Sequence, residues 1–213
     1  MKKVLITLTL VLCLLLTACS AGGGKAISDD LLKAFDGTRE EAEKLLNMTP
    51  EDSGDVAGDV APGTTYASYV TVQKWCGRDM ETRIYYMNDS IRYFMGTAAF
   101  PANEETKAFL EDCFKQLQKQ FGDPYSIGSF WFPNGGASHE YTSGEEAAAF
   151  EDFWNNEEVR GMEISFHLPP VPENSFGLRR VDVTFSKDAG KAENVQVEIS
   201  LYDSDKVDAS RGR

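Results

Sequence analysis

The chain has 213 residues, with 34 acidic against 21 basic side chains and a net charge of −13. A surface this negative repels nucleic-acid phosphates and anionic lipid headgroups, which argues against both as partners recognised by charge. The length suits one sizeable core or two small packed halves.

Met1-Lys2-Lys3 is a short positive start, and Val4 to Leu16 is apolar apart from Thr7 and Thr9. That stretch is shorter than the ~20 residues of a membrane-spanning helix and reads as the apolar part of a signal peptide over 1–18. The stretch ends Leu16-Thr17-Ala18-Cys19, which resembles the bacterial lipobox at each position. The resemblance implies cleavage before Cys19, a diacylglycerol on its thiol and an acylated new amino terminus. Several acyl chains together hold firmly, because each buried methylene contributes ~0.8 kcal/mol. The expected location is the outside of the cell membrane or, in a two-membrane host, the outer membrane. Residues 19–27, beginning Cys19-Ser20-Ala21-Gly22-Gly23-Gly24, read as a flexible tether. The GGGK run lacks the spacing and hydroxyl of a phosphate loop.

The folded part is expected over 28–202. Ser28 caps a helix carrying Leu31, Leu32 and Phe35, and Thr38-Arg39-Glu40-Glu41 reads as a capping box opening a second one. Glu51 to Gly63 is acidic, rich in Gly and Pro, and expected to be loop, its aspartates off calcium-loop spacing. Strands are expected at Tyr69–Cys76, Met80–Met87 and Ser90–Ala98, with Asn88-Asp89 as a hairpin turn. Asn103 caps a helix with Leu110, Cys113, Phe114, Leu117 and Phe121 on one face, stopped by Gly122. A hairpin spans Tyr125–Phe132 and Ala137–Tyr141. Ser143-Gly144-Glu145-Glu146 reads as a capping box for a helix that presents Ala147, Phe150 and Trp154 as one stripe. Three alternating strands follow, around Met162–Leu168, Val181–Phe185 and Val195–Leu201. The tail 203–213 is expected to fray. The order predicts an α+β fold of helices on antiparallel sheet, with two α-then-βββ halves over 28–100 and 101–202.

Phe35-Asp36-Gly37-Thr38-Arg39-Glu40-Glu41-Ala42-Glu43-Lys44-Leu45-Leu46 resembles the helix–Gly–Thr–helix opening of small bacterial envelope modules. Examples are the small lipoprotein of the outer-membrane barrel assembly machinery and the β-lactamase-inhibitor protein. The resemblance implies a helix pair on antiparallel sheet and protein partners. It covers a dozen residues, and Asn47-Met48-Thr49 replaces the glycine and proline usual after the paired leucines.

The residues offer little catalytic chemistry. His139 lies near a turn and His167 on the polar face of a strand, where exposure is expected; neither belongs to a metal-binding pair. There is no nucleophile elbow, and no cofactor or metal site is read. Cys76 has Lys74 and Arg78 nearby, with Lys74 expected on the cysteine's face of its strand. Cys76 and Cys113, in an exported domain, are either a disulfide or two small core residues. Tyr85-Tyr86, Tyr93-Phe94 and Phe130-Trp131-Phe132 place aromatics on both faces of their strands. This implies either a sheet covered on both sides, by helices and by a second sheet, or an exposed binding patch, with Trp131 and Phe132 as candidate partner anchors. The expected function is a non-catalytic, lipid-anchored binding or scaffold module, whose partner is a protein or small ligand. The alternatives are an envelope hydrolase, which needs acids or a histidine converging in a cleft, and a ligand carrier with a concave aromatic pocket.

Overall fold

A computed structural model describes residues 25–55, 63–130, 138–142, 144–170, 179–187 and 193–210. The signal segment, Cys19, Trp131 and Phe132 lie outside them. In chain order the elements are α1 (Asp29–Asp36), α2 (Arg39–Leu45), β1 (Asp52–Asp55), β2 (Thr65–Trp75), β3 (Arg78–Met87) and β4 (Ser90–Pro101). Then come α3 (Glu104–Phe121), β5 (Ser126–Phe130), β6 (Ser138–Tyr141), α4 (Glu146–Asn155), β7 (Gly161–His167), β8 (Arg179–Lys187), β9 (Asn194–Asp203) and α5 (Ser204–Ser210).

All nine strands join one antiparallel sheet in the order β1-β2-β3-β4-β9-β8-β7-β5-β6. The α+β expectation is met: each half contributes a three-stranded meander, β2-β3-β4 and β7-β8-β9, and the two fuse where β4 pairs with β9. The sheet edges are the short strands β1 and β6, carrying Asp52, Asp55, His139 and Glu140, the charged, brief edges that resist pairing with other chains.

The helices end where local chemistry says they should. Ser28 Oγ accepts from Leu31 N at 3.2 Å, Thr38 and Glu41 form a reciprocal capping box, and Asn103 Oδ1 accepts from Thr106 N at 2.9 Å. One face of the sheet receives them. Phe109, Leu110, Cys113, Phe114 and Leu117 of α3 are buried at helical spacing, above Phe166 of β7 and beside Phe150 of α4. Leu31 and Phe35 of α1 and Ala42 of α2 are buried, and Phe35 meets Phe94 edge to face at 5.9 Å. Trp75 fills the space above Gly96: a Cβ there would lie 2.5 Å from the indole Nε1, so only glycine fits. The indole N–H donates to the buried Thr82 hydroxyl at 2.8 Å, satisfying both groups.

Several expectations fail, each for a local reason. The 51–63 loop contains β1, whose Asp52 accepts from the Tyr66 hydroxyl at 2.9 Å. The 203–213 tail is not frayed over its described part: α5 buries Val207 and Ser210, and Lys206 O and Ser210 O accept from Ser90 and Asn88. Helix α4 is rotated from the predicted stripe. Its buried face is Ala149, Phe150 and Phe153, while Ala147 is exposed and Trp154 half-buried. The Glu145 carboxylate accepts from Thr142 N at 2.8 Å, so the box-like contact starts one residue before Ser143. Cys76 is not a strand residue; its φ of 47° turns it inward, away from the face that carries Lys74. No second sheet covers the aromatic residues among the described residues.

Candidate functional site

The helices occupy one face of the sheet, and the opposite face carries no helix or second sheet among the described residues, being most open on β2 and β4 while Ser165 on β7 is buried. Val72 at 64 %, Val70 at 39 % and Tyr93 at 38 % exposure stand on it, values no covered strand face would show. Alternation and register set its contents in transverse rows. The row at one end of the strands is aromatic. Tyr66, Tyr85 and Tyr93 stack ring on ring, with centroids 6.1 and 5.5 Å apart and interplanar angles of 20° and 10°. Across β9 and β8 the row continues with Tyr202, under the Arg180 guanidinium at 4.4 Å, and then His167, stacked on Tyr125 at 4.4 Å. His167 is therefore half-buried in an aromatic stack and not the free surface side chain that its polar strand face suggests.

The next row toward the other end holds Arg83, Met95, Ser200, Asp182 and Ser165 in register. Asp182 is held from two sides, accepting from Arg180 Nε at 2.6 Å and from Ser165 Oγ at 2.7 Å. Beyond it Glu163 and Glu198 flank Thr184 in direct register. Partial burial raises both carboxyls above the ordinary glutamate range, and the charge of Asp182 adds to it in each case. Small side chains surround these acids: Ser165, Thr184, Ser186, Ser200 and Gly128 share the C-terminal half of the face. At the far end the Phe130 ring lies on Gly161, where a Cβ would fall 2.0 Å from it.

The other sequence candidates fall elsewhere. Cys76 and Cys113 are joined as a disulfide, Cα–Cα 5.2 Å, that ties the β2–β3 turn to α3 on the covered face. Both are buried, and neither is a free thiol, so the nucleophile reading of Cys76 falls away. His139 packs edge-on against Tyr141 at 4.5 Å, and that hydroxyl donates to Asp152 at 2.7 Å. No group of three metal-binding side chains occurs among the described residues. The helix face carries an open groove at Lys33, Asp36, Gly37, Glu41, Lys44 and Leu45, and a smaller cleft at Arg78, Phe100 and Phe109. The tyrosine row could be foreseen only in part. Tyr85-Tyr86 and Tyr93-Phe94 gave the two-faced signal, but Tyr202, Tyr66 and Tyr125 join the row only through the sheet order.

Comparison with protein-family models, with curated proteins and with solved structures finds no match to this chain.

Proposed function

We propose that this chain is a lipid-anchored, non-catalytic binding module of the bacterial cell envelope that meets a protein partner on the open face of its sheet. The observation that carries the reading is that bare face, with its stacked Tyr66, Tyr85 and Tyr93 and exposed Val70 and Val72. Tyrosine suits the role: it is large and amphipathic, and it loses little freedom on being buried. The six longer strands, β2, β3, β4, β9, β8 and β7, each taking about 4.8 Å of width and supplying four rows about 7 Å apart, give an area on the order of 800 Å², one partner's share of a standard interface.

Orientation favours a protein over a lipid as the partner. Ile27 bridges to Trp75 at one end of β2, so a lipid on Cys19 would hold that end toward the bilayer. Tyr66 lies nine residues back along the same strand, ~30 Å away at ~3.3 Å per residue. The aromatic row would then face away from the membrane. The resemblance of residues 35–46 to envelope modules that bind proteins points the same way. A hydrolase is less well supported, because Glu163 and Glu198 lie on an open face without walls to exclude water. A ligand carrier would need a concave aromatic pocket, whereas the rings of this row stack on one another across a sheet face.

Two experiments test the reading. Cys19→Ser should move the protein from the detergent phase to the aqueous phase; a variant still in the detergent phase overturns the anchor. A photo-crosslinking side chain at Tyr93, in the native envelope, should give a discrete adduct that the same group at Asp112 on α3 does not. Equal labelling from both positions would remove the open face as the docking surface.

A further inference from the structure

The row containing Glu163 and Glu198 runs across most of the sheet. Register places Glu81, Glu198, Glu163 and Glu140 on β3, β9, β7 and β6, one on every second strand, with Thr97, Thr184 and Gly128 between them. At ~4.8 Å per strand the glutamates recur about every 10 Å. Glu81 is paired with Arg83 at 2.7 Å. Glu198, Glu163 and Glu140 have neither an ion pair nor a hydrogen bond among the described residues. Glu163 and Glu198 lose hydration and lie beside the charge of Asp182, which Arg180 opposes at Glu163 alone, so folding does not favour their charged forms. The residues between them are small. At Gly128 an added Cβ would meet only His139 O, at 3.7 Å, so among the described residues packing does not demand the glycine.

We propose that the partner docks through a basic protein segment whose lysine or arginine side chains seat over Thr184 and Gly128, between the glutamates. This rests on the open face being the docking surface and names what fits it. A cation over Thr184 is flanked by Glu163 and Glu198, and one over Gly128 by Glu163 and Glu140. The long aliphatic stems of such side chains suit a face that offers apolar area beside charge. Steering by the chain's overall −13 charge would speed the approach of a basic segment and slow that of a second copy of this chain, whose own acidic row would oppose it.

The test uses the full chain in detergent and a fluorescent 15-residue peptide with arginine at every third position in a Pro/Ala background. In an extended proline-type helix its arginines recur about every 9 Å. The same peptide with glutamine for arginine is the control. The arginine peptide should bind, more weakly as salt rises, and at least about tenfold more weakly to Glu163→Gln/Glu198→Gln. Gly128→Val, which changes no charge and fills the gap, should also weaken it, while Glu81→Gln should leave it within about twofold. Equal binding to the double variant, equal binding of the glutamine peptide, or no binding at all would overturn the proposal. Spermine binding as tightly as the peptide would also overturn it, making the row a site for small polycations. A Tyr93 crosslink that survives in the double variant would keep the docking face while removing the basic segment, so the two readings fail separately.

Discussion

Tyr85 and Tyr86 are adjacent on one strand, yet the sheet gives them different work. Tyr86 is 1 % exposed on the helix side, edge to face with Tyr69 at 5.8 Å. Burial and the neighbouring Tyr69 raise its hydroxyl well above the usual phenol range. Tyr85 stands on the bare side, sandwiched between Tyr66 and Tyr93 and still half open to water. The same contrast repeats across the whole sheet. The helix side is dry and tightly filled, with Trp75, Phe94, Phe153, Phe166 and Phe185 fully buried. The other side mixes tyrosine, valine and unpaired carboxylate. The difference teaches that aromatic content alone does not locate a core. A side chain becomes core when an element covers it, and on this sheet only one face is covered among the described residues.

The largest expected effect separates the two faces directly. Phe94→Ala removes a ring packed on both Phe35 and Trp75 and should cost ~3–5 kcal/mol in urea unfolding. Tyr93→Ala, one residue away, should cost no more than ~1 kcal/mol, the strength of a cross-strand pair. Equal losses would end the division into a covered and an open face. Next comes the disulfide on the covered side. Cys76→Ala/Cys113→Ala opens a loop spanning 37 sequence positions and should lose ~3–4 kcal/mol in the chain-entropy model, read as a lower melting temperature. Unchanged melting under reducing conditions would contradict it.

Glycine gives a smaller contrast. Gly96→Ala forces a methyl into the Trp75 indole and should cost ~1–3 kcal/mol, whereas Gly128→Ala on the open side should stay within ~0.5 kcal/mol. Denaturation midpoints of the pair would decide it. The smallest effect is electrostatic. Glu163 and Glu198 bind protons more tightly folded than unfolded, so their ionisation destabilises the fold as pH rises out of the ordinary carboxylate range through their raised values. The groups facing them are Asp182, which raises both, Arg180, which opposes the rise at Glu163, and Glu198, which adds to it there. Glu163→Gln/Glu198→Gln should therefore melt higher than the parent at neutral pH, and the gap should close on acidification below that window. A double variant that melts lower at neutral pH would show that the carboxylates are stabilised by partners.

What could be read from the chain alone was whatever short-range rules govern. Ser28, Thr38 and Asn103 sit at helix starts because their side chains satisfy amides within three residues. Asn88 and Asp89, both at positive φ, make the tight turn their residue types favour. The alternation in β7, β8 and β9 marks one buried face because strand side chains alternate wherever the strand lies. The remainder needed the tertiary fold. On β4 both Ile91 and Phe94 face the core, which strict alternation forbids; a register shift opposite Tyr85 and Tyr86 allows it. The tail folded as α5 because β4 and its hairpin turn supply donors to its carbonyls, a condition invisible locally. The tyrosine row and the alternating glutamates were hidden for the same reason. Tyr66 and Tyr202, or Glu81, Glu163 and Glu198, are far apart in the chain. Only the fusion of β4 with β9 lines them up, because register across that seam is set by long-range pairing.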